Sequence, residues 1–481
     1  MSKIEVNTVD VQCGSTLTLG SSGKTVTLAC GATQSGFGRT GTVDWCTTAK
    51  TSPLTAVSGK GYFINTTGGS ITVTLPASPS AGDIVSLKDY AKTWDSNDVL
   101  VGRNGSKIAG TCLNATLNTE AQSITLIYVD GTQGWIDIQD STASITGTPN
   151  YIVASGGAAT ITCGDYKTHI FTGDADFTVT GGGNACGSNK IDYVVVGGAG
   201  AGGASHYNGA GSGGGGAGGF RVSNSYSIPA PTMSPLISPT GVGVSVQTYP
   251  ITVGGGGAGV SAPTTYVSGT NGSPSTFSSV TSAGGGGGSG GHGGTASAGN
   301  GGSGGGGGYN TNPAPTGLGN TPPVSPPQGQ NGGSNDPNTC GSYAAAAGGG
   351  AGAVGGTAPN CSTGGTGGAG SFIGDPFFGP TAPSYGTPGP VSNTRYFSGG
   401  GGGGGGITSP YPGGSVTGGP GGVGGGGIGG GQPSPSRTGV AGTVNTGGGS
   451  GGGSTNYSPP AAGASLAGGS GFVALRYKFQ N

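Results

Sequence analysis

Along residues 3–34 apolar and polar positions alternate with a period of two: Ile4/Val6, Val9/Val11, Leu17/Leu19 and Val26/Leu28, with Gly20-Ser21-Ser22-Gly23 as a turn between the last two sets. The pattern predicts short strands, too few to bury the apolar surface an independent unit needs. They either pack on the following domain or wrap with identical segments of other chains, and a short repetitive β-stem at an N-terminus suits the second arrangement. From 43 to 140 the alternation continues. Ile71, Val73 and Leu75 alternate with Thr72 and Thr74, giving one buried and one wet face. Val99 and Val101 lead into Asn104-Gly105, with Ile108 beyond, and Asn-Gly is a strong hairpin signal because both turn residues need positive φ. A second hairpin reads Ile124–Val129, a turn over Asp130–Gly134, then Trp135–Ile138. No segment carries a helical period, which predicts an antiparallel sandwich or small barrel. A smaller set of strands follows at Tyr151–Ala154, Ala159–Cys163, His169–Thr172 and Phe177–Thr180, and Ile191–Val196 runs straight into glycine.

Composition then divides the chain. Of 119 glycines in 481 residues, 26 lie in the first 190, so the remaining 291 residues are about one-third glycine against a usual share of roughly 7%. Runs recur at 213–216, 254–257, 284–288, 304–308, 399–406, 424–427 and 447–449. A collagen triple helix needs glycine at every third position without interruption, which eight consecutive glycines at 399–406 do not provide. A flexible linker has no reason to be bracketed by two strongly β-forming segments, Tyr193–Val196 and Gly471–Phe479. The remaining reading is polyglycine II, extended threefold helices packed side by side, in which glycine is required wherever backbones touch. Ordering costs about 1–2 kcal/mol per residue while each hydrogen bond returns about 0.5–1.5 kcal/mol net, so a single run is not ordered alone but many in one lattice are. The two flanking strands are expected to pair and close the base.

Between the runs, segments 221–250, 258–280, 309–345, 371–398 and 454–465 carry aromatics among Pro, Asn, Ser and Thr. The candidate contact residues are Tyr226, Tyr266, Tyr309, Tyr343, Phe377, Phe378, Tyr385, Tyr396, Phe397 and Tyr457. For any one ring the plain alternative is that it covers the glycine core; as a set, loops of Tyr, Ser, Gly and Asn resemble antibody-type contact surfaces.

Charge and motif chemistry remove most other functions. Lys and Arg (16) balance Asp and Glu (17), so no basic surface points to nucleic acid. No apolar run approaches a membrane span, and the start has no apolar segment of a secretion signal. Gly198-Ala-Gly200-Ala-Gly-Gly203 formally matches a dinucleotide fingerprint, but the following Ala-Ser-His-Tyr-Asn-Gly does not start the helix such a site needs. Gly23-Lys24-Thr25 lacks the earlier P-loop glycine, with Thr18 in its place. The eight cysteines form no Cys-x-x-Cys, and His169, His206 and His292 are not at ligand spacing, so no zinc site is expected. Cys163/Cys186 and Cys340/Cys361 bracket loops in a way that suits disulfides, although reduced thiols are the default without a signal peptide. No catalytic residue and no cofactor site is predicted. The protein is expected to be non-enzymatic.

These residues carry a resemblance. KIEVNTVDVQCGSTLTLGSSGKTVTLACGAT at 3–33 resembles the N-terminal strands of tail-fibre and related virion proteins of marine tailed bacteriophages. HIFTGDADFTV, YVVVGGAGAGG, GGGGAGGFRV and the closing GGSGFVALRYKF are similar to the glycine-rich domain at the ends of such fibres. That domain is similar in turn to the distal adhesins of T-even-like phages, in which packed polyglycine II helices display variable loops. The adhesins sit on a separate fibre, whereas here stem and glycine domain share one chain. The resemblance implies an all-β chain with a virion-attachment β-stem at 1–45, a β-sandwich module at 46–141, a small β module at 142–190 and a polyglycine II receptor-binding domain at 191–481. It further implies a homotrimer in the virion tail, made in the host cytoplasm. The stem would join other tail proteins and the tip would contact a host outer-membrane protein or surface glycan. The alternatives are a structural virion component such as a baseplate or capsid decoration protein, and an ice-binding polyglycine II protein.

Overall fold

The computed structural model describes residues 43–140, 149–206, 209–228, 233–262, 264–291, 297–309, 316–335, 343–407, 416–431, 437–455 and 463–481. They belong to two compact units, 1–147 and 148–481. The described residues are nearly all β or extended, as the alternation predicts. Of the stem expected at 1–45, residues 1–42 lie outside the described residues.

In the first unit nine strands form two sheets: β1 (Asp44–Lys50), β2 (Leu54–Thr55), β3 (Lys60–Ile64), β4 (Ile71–Thr74), β5 (Ile84–Asp89), β6 (Val99–Gly102), β7 (Ala115–Leu117), β8 (Ser123–Asp130) and β9 (Gly134–Asp140). The antiparallel expectation fails for its first two-thirds. β1, β3 and β5 pair in parallel in one sheet, and β2, β4 and β6 pair in parallel in the other. From β1 to β6 each connection crosses to the opposite sheet, so consecutive strands there are not partners and the chain returns one place along every second strand. Only the last three strands add antiparallel, β7 on β6, β8 on β5 and β9 on β8. The turn at Asn104-Gly105 forms with φ of 47° and 90°, but the partner of β6 is β7, because Ile108 is drawn off to bridge Thr111 and Trp135. The Asp130–Gly134 hairpin forms as expected, with Asp130 Oδ1 accepting from the backbone of Thr132 and Gln133 at 2.8 and 2.7 Å. Ile64, Val73, Leu75, Leu87, Val101, Leu126, Trp94 and Trp135 from both sheets share one core.

The second unit is built on β14 (Lys190–Val196) and β23 (Phe472–Lys478). They pair antiparallel from Asp192↔Arg476 to Val196↔Phe472, the closure of the base that the flanking strands predict. Around them lie β10 (Val153–Gly156), β11 (Ala159–Cys163), β12 (Tyr166–Phe171), β13 (Ala175–Gly181), β15 (Phe220–Ser223), β16 (Ile237–Ser238), β17 (Val242–Gly243), β18 (Gln247–Thr252), β19 (Ser275–Phe277) and β20 (Val280–Ser282). The central sheet has the order β11-β12-β23-β14-β15-β16, and a second sheet the order β10-β13-β18-β19-β20. Strands of the stretch 142–190 therefore pair with strands from beyond it, β12 with β23 and β13 with β18. A hairpin of β21 (Ser371–Gly374) and β22 (Thr394–Phe397) packs on the other face of the central sheet. β14 and β23 are buried on both faces: Val194, Val196, Phe472 and Ala474 face one core, while Tyr193, Val195, Val473 and Leu475 face the other. Asp192, buried in this base, accepts from Ser223 Oγ at 2.9 Å and from the backbone of Ser225 and Tyr226 at 2.7 and 3.1 Å; opposite it, the Arg476 guanidinium lies 3.7 Å from the Tyr166 ring centre.

From this base the glycine runs extend. The N–H groups of 211–219 bond three neighbours in strict rotation. Gly211, Gly214 and Ala217 donate to the carbonyls of Tyr343, Ala346 and Gly349; Ser212, Gly215 and Gly218 donate to Gly453, Ser450 and Gly447; Gly213, Gly216 and Gly219 donate to Ser289, Gly286 and Ala283. Run 399–406 does the same: Gly399, Gly402 and Gly405 to Gly424, Gly427 and Gly430, Gly400 and Gly403 to Gly368 and Gly365, and Gly401 and Gly404 to Gly215 and Ser212. Both runs are wholly buried. Runs at the outside keep a period of three in exposure, with Thr417 and Pro420, and Val440 and Thr443, facing outward and buried or half-buried positions between them.

Two predictions follow from this geometry. A methyl group at Gly215 would run into the carbonyls of Gly200 and its neighbours, whereas one at Gly255 would meet nothing. Gly215→Ala is expected to destabilise the second unit by about 1–3 kcal/mol or more, and Gly255→Ala to be neutral or to stabilise it by up to about 1 kcal/mol, read by denaturant unfolding of the full chain. The second concerns His169 on β12, whose Nδ1 donates to the Gly156 carbonyl at 2.7 Å and whose ring stacks on Tyr477. Burial, reinforced by Lys167, holds its pKa below the ordinary value despite the bond to Gly156. The unfolded chain therefore takes up this proton first as pH falls, and the second unit should lose stability from about pH 6.5 downward. His169→Gln should flatten that slope in melts across pH 5–8.

Candidate functional site

The ends of the runs sort into two sets. At the base, Gly197 N bonds the Gly219 carbonyl, Gly219 N that of Ala283, Ala351 N that of Ser398, and Ser398 N that of Thr446. At the far end a second set of run termini is mutually bonded. Ser205 exchanges backbone bonds with Gly463 at 3.2 and 2.9 Å, and Ala204 with Val267 at 2.8 and 3.0 Å. Thr455 N donates to Ala210, Ile407 N to Gly209, Tyr309 N to Gly211 and Ser454 N to Arg437. Serine hydroxyls close the gaps among them: Ser205 Oγ donates to the Gly290 carbonyl at 3.1 Å and meets Ser212 Oγ, and Ser454 Oγ donates to Gly405 at 2.8 Å. The connections following residues 205, 291, 309, 335, 407, 431 and 455 thus all leave from one end of the glycine block.

Three of the candidate aromatics stand at this end. Tyr309 and Tyr343 stack with ring centres 5.0 Å apart and planes at 15°. Tyr309 is buried, Tyr343 and Tyr266 are half-buried, and burial together with the neighbouring Tyr343 and Tyr266 raises the Tyr309 phenol above its ordinary pKa. His206 Nδ1 lies 3.0 Å from the Ala262 carbonyl beside them.

Six of the other aromatics are at the opposite end, and this corrects the expectation that 221–250 and 371–398 form tip loops. β21 and β22 hold segment 371–398 against the central sheet, and two short 3-10 turns at Asp375–Phe377 and Gly379–Ser384 fold its rings inward. Phe378 packs on Phe377, Tyr385, Phe397 and Phe472, and Phe397 stacks on Phe472 and Phe220. Phe377, Phe378 and Phe397 are wholly buried and Tyr396 nearly so, leaving no ring face for a partner; Tyr385 is half-buried against Phe472. Tyr226 donates to the Lys190 carbonyl at 2.6 Å, and burial and the nearby Asp192 push its phenol up to about 12. Tyr457 lies outside the described residues.

Charge is divided the same way. Asp192, Arg221, Asp375, Arg395, Arg476 and Lys478 all belong to the base sheets or the segment packed on them, and Arg437 alone among the described charges of 191–481 stands at the loop end. Among the described residues no three His, Cys, Asp or Glu side chains gather as metal ligands. Cys163 carries a free thiol, so it is not bridged to Cys186; Cys340 lies outside the described residues.

A family model described as a glycine-rich domain matches residues 176–478, well over half of the sequence. The chain belongs to this glycine-rich domain family. A stretch of 78 residues is also 33% identical to the baseplate wedge protein gp10 of Enterobacteria phage T4, covering 16% of this chain and 13% of that protein. The chain therefore matches about an eighth of that relative's length. The family match begins within β13 and ends at the last residue of β23, so it takes in the strand pair that closes the base as well as the runs.

Sequence reasoning placed the aromatics by their spacing along the chain and could not tell which turns face the base. One signal in the sequence bears on it. Phe377, Phe378 and Phe397 lie in the segment with apolar runs at both ends, Ser371–Ile373 and Tyr396–Phe397, which pair as a hairpin, whereas Tyr309 and Tyr343 directly adjoin glycine or alanine runs. Accordingly Phe378→Ala is expected to cost the second unit about 3–5 kcal/mol, while Tyr266→Ala, at a half-buried ring, costs about 1 kcal/mol. Urea unfolding of both variants, followed through the transition of the glycine-rich unit, checks the contrast.

Proposed function

We propose that this chain is a non-enzymatic bacteriophage tail-fibre or receptor-binding protein whose glycine block carries host-contacting connections at the end away from its base sheets. The observation that carries the reading is the convergence of run termini at one end, with Tyr266, Tyr309 and Tyr343 among them and almost no charge. We read the block as a polyglycine II bundle: N–H groups that rotate through three neighbours, and outward positions every third residue, are what a helix of three residues per turn requires. The two-sheet module of the first unit is read as a β-sandwich and residues 1–45 as an attachment stem. On this reading the stem joins other virion proteins, the protein is a homotrimer in the tail, and its partner is a host outer-membrane protein or surface glycan. Rings held by a rigid lattice bring contact area at low ordering cost.

The similarity to a baseplate wedge protein favours a second reading, a structural virion component that uses the glycine lattice for rigidity alone. The two differ in what the loop end does. Replacing the connections 408–415 and 456–462 with those of a relative that infects a different host should change adsorption specificity; unchanged specificity with normal particle assembly supports the structural reading. Replacing 371–398 should instead impair folding, because its rings are core. With so little charge at the loop end, adsorption should change little between low and high salt at fixed divalent cation, measured as the adsorption rate constant of whole particles. A steep loss with salt would contradict contact through aromatic and amide groups.

A further inference from the structure

Of the chain's three tryptophans, Trp94 and Trp135 are wholly buried in the core of the first unit, whereas Trp45 on β1 is 41% exposed. Tryptophan is highly buried on average, so an open indole calls for a reason. β1 is an edge of the sheet β1-β3-β5-β8-β9, and its register sets Trp45, Gly61, Ser86, Thr125 and Gln139 in one transverse row. The adjacent row, Cys46, Tyr62, Leu87 and Ile124, packs into the core, which puts the Trp45 row on the outer face of the sheet.

Gly61 seats the indole. A Cβ at that position would come within 2.7 Å of Trp45 Cδ2 and Cε3, and Gly61 is buried although it lies on the outer face, so the ring covers it. Glycine inside a strand weakens it and marks the close approach of another group; here that group is the indole, one side toward Gly61 and the other open. Phe63, the next outward residue on β3, holds its ring 5.0 Å from the indole at 37°. Tyr90, 57% exposed, continues the line of β5 with its N–H on the Ile64 carbonyl. Beside the rings the groups are polar and uncharged: the Ser86 and Thr125 hydroxyls are bonded at 2.8 Å, and Gln139 is exposed. Lys88, in register with Phe63, donates Nζ to the Ala121 carbonyl, and Asp44, next to Trp45, is paired with Lys60.

We propose that this outer face is a glycan-binding platform for a neutral oligosaccharide, in a different unit from the loop end of the glycine block and independent of what that end contacts. A pyranose ring presents an apolar side of C–H groups that stacks on the negative face of an aromatic ring, while its hydroxyls seek hydrogen bonds around the edge. Trp45 supplies such a face laid along the sheet, and hydroxyl and amide groups follow it in the same row. From Trp45 to Thr125 the row crosses three strand spacings, about 14 Å, the span of an oligosaccharide rather than of one sugar. Protein partners anchor on side chains that fill pockets, whereas glycine, serine and threonine in a row make a flat floor. With Lys88 and Lys60 engaged, an anionic ligand gains little there. Gly61 beneath and Phe63 beside the indole fix the platform before binding, so little ordering cost opposes the contact.

The test uses the purified full chain with cellohexaose, mannohexaose, maltohexaose and chitohexaose. Acrylamide should quench the fluorescence of the one exposed tryptophan, and at least one hexasaccharide should reduce that quenching and give saturation-transfer NMR signals from its ring protons. Trp45→Ala should weaken the binding at least tenfold with the thermal transition of the first unit kept, and Trp45→Phe, which retains a flat ring, should weaken it about threefold. No signal from any of the four sugars would overturn the proposal. So would binding undiminished in Trp45→Ala, which would put the sugar elsewhere. Tryptophan fluorescence already shielded from acrylamide in the free chain would mean that another part of the chain or a second copy covers the face, and would equally overturn it. Should Trp45→Ala lower the thermal transition, Trp45→Phe decides, and an unchanged affinity in that variant contradicts the assignment.

Discussion

The glycine-rich unit depends on backbone hydrogen bonds between runs that approach more closely than a Cβ permits. At 211–219 each N–H reaches a neighbouring run, and the three neighbours receive the bonds in turn. Every residue thereby satisfies its donor without a sheet or a helix of its own. Glycine loses more conformational freedom on ordering than any other residue, so this arrangement is stable only when many runs share the bonds. The ten runs of three or more glycines in 191–481 are thus a requirement of the architecture, as are the alanines and serines that occupy places where a small side chain finds room. Ser450 and Ser465 use that room to bond the carbonyls of Leu466 and Gly202.

A lattice of side-chain-free backbone has no hydrophobic core, and the strands at its base supply one. β14 delivers the chain into the first run and β23 receives it from the last, so the pair fixes both ends of the block. Their two faces gather nearly all the large apolar side chains of the unit, with Phe177, Phe277 and Tyr477 on one side and Phe378, Phe397 and Phe472 on the other. Segment 371–398, polar enough in sequence to read as a loop, is drawn into this base because the runs around it offer no other place to bury a phenylalanine. Packing and hydrogen bonding are therefore separated in space. The apolar term sits at the base and the hydrogen-bond term in the block.

Much of this was legible in the residues. Strand positions, the Asp130–Gly134 hairpin and the pairing of Tyr193–Val196 with the C-terminal strand follow from period-two alternation and from where glycine begins and ends. Strand direction in the first unit was not, because alternation of Ile71, Val73 and Leu75 reads the same for a parallel and an antiparallel neighbour; only the connections crossing between sheets decide it. The end of the block at which each candidate aromatic stands was legible only in part. Tyr266, Tyr309 and Tyr343 stand where the runs turn at the free end, whereas Tyr226, Phe377, Phe378, Tyr385, Tyr396 and Phe397 lie at the base, since an aromatic among Pro, Ser and Thr carries no mark of which end its turn occupies. The period of three was present in Gly-Gly-Thr-Gly-Gly-Ala at 364–369 and Thr-Gly-Gly-Pro-Gly-Gly-Val at 417–423, and it marks the outward positions directly.

The most direct test of the account is amide hydrogen exchange of the full chain, resolved to the peptides covering 211–219 and 399–406. If their N–H groups are shared among three neighbouring runs, they will exchange as slowly as those of β14 and β23, through unfolding of the whole unit. Exchange at the rate of an unstructured peptide, with β14 and β23 still protected, would mean that the strands fold without the lattice and would contradict it.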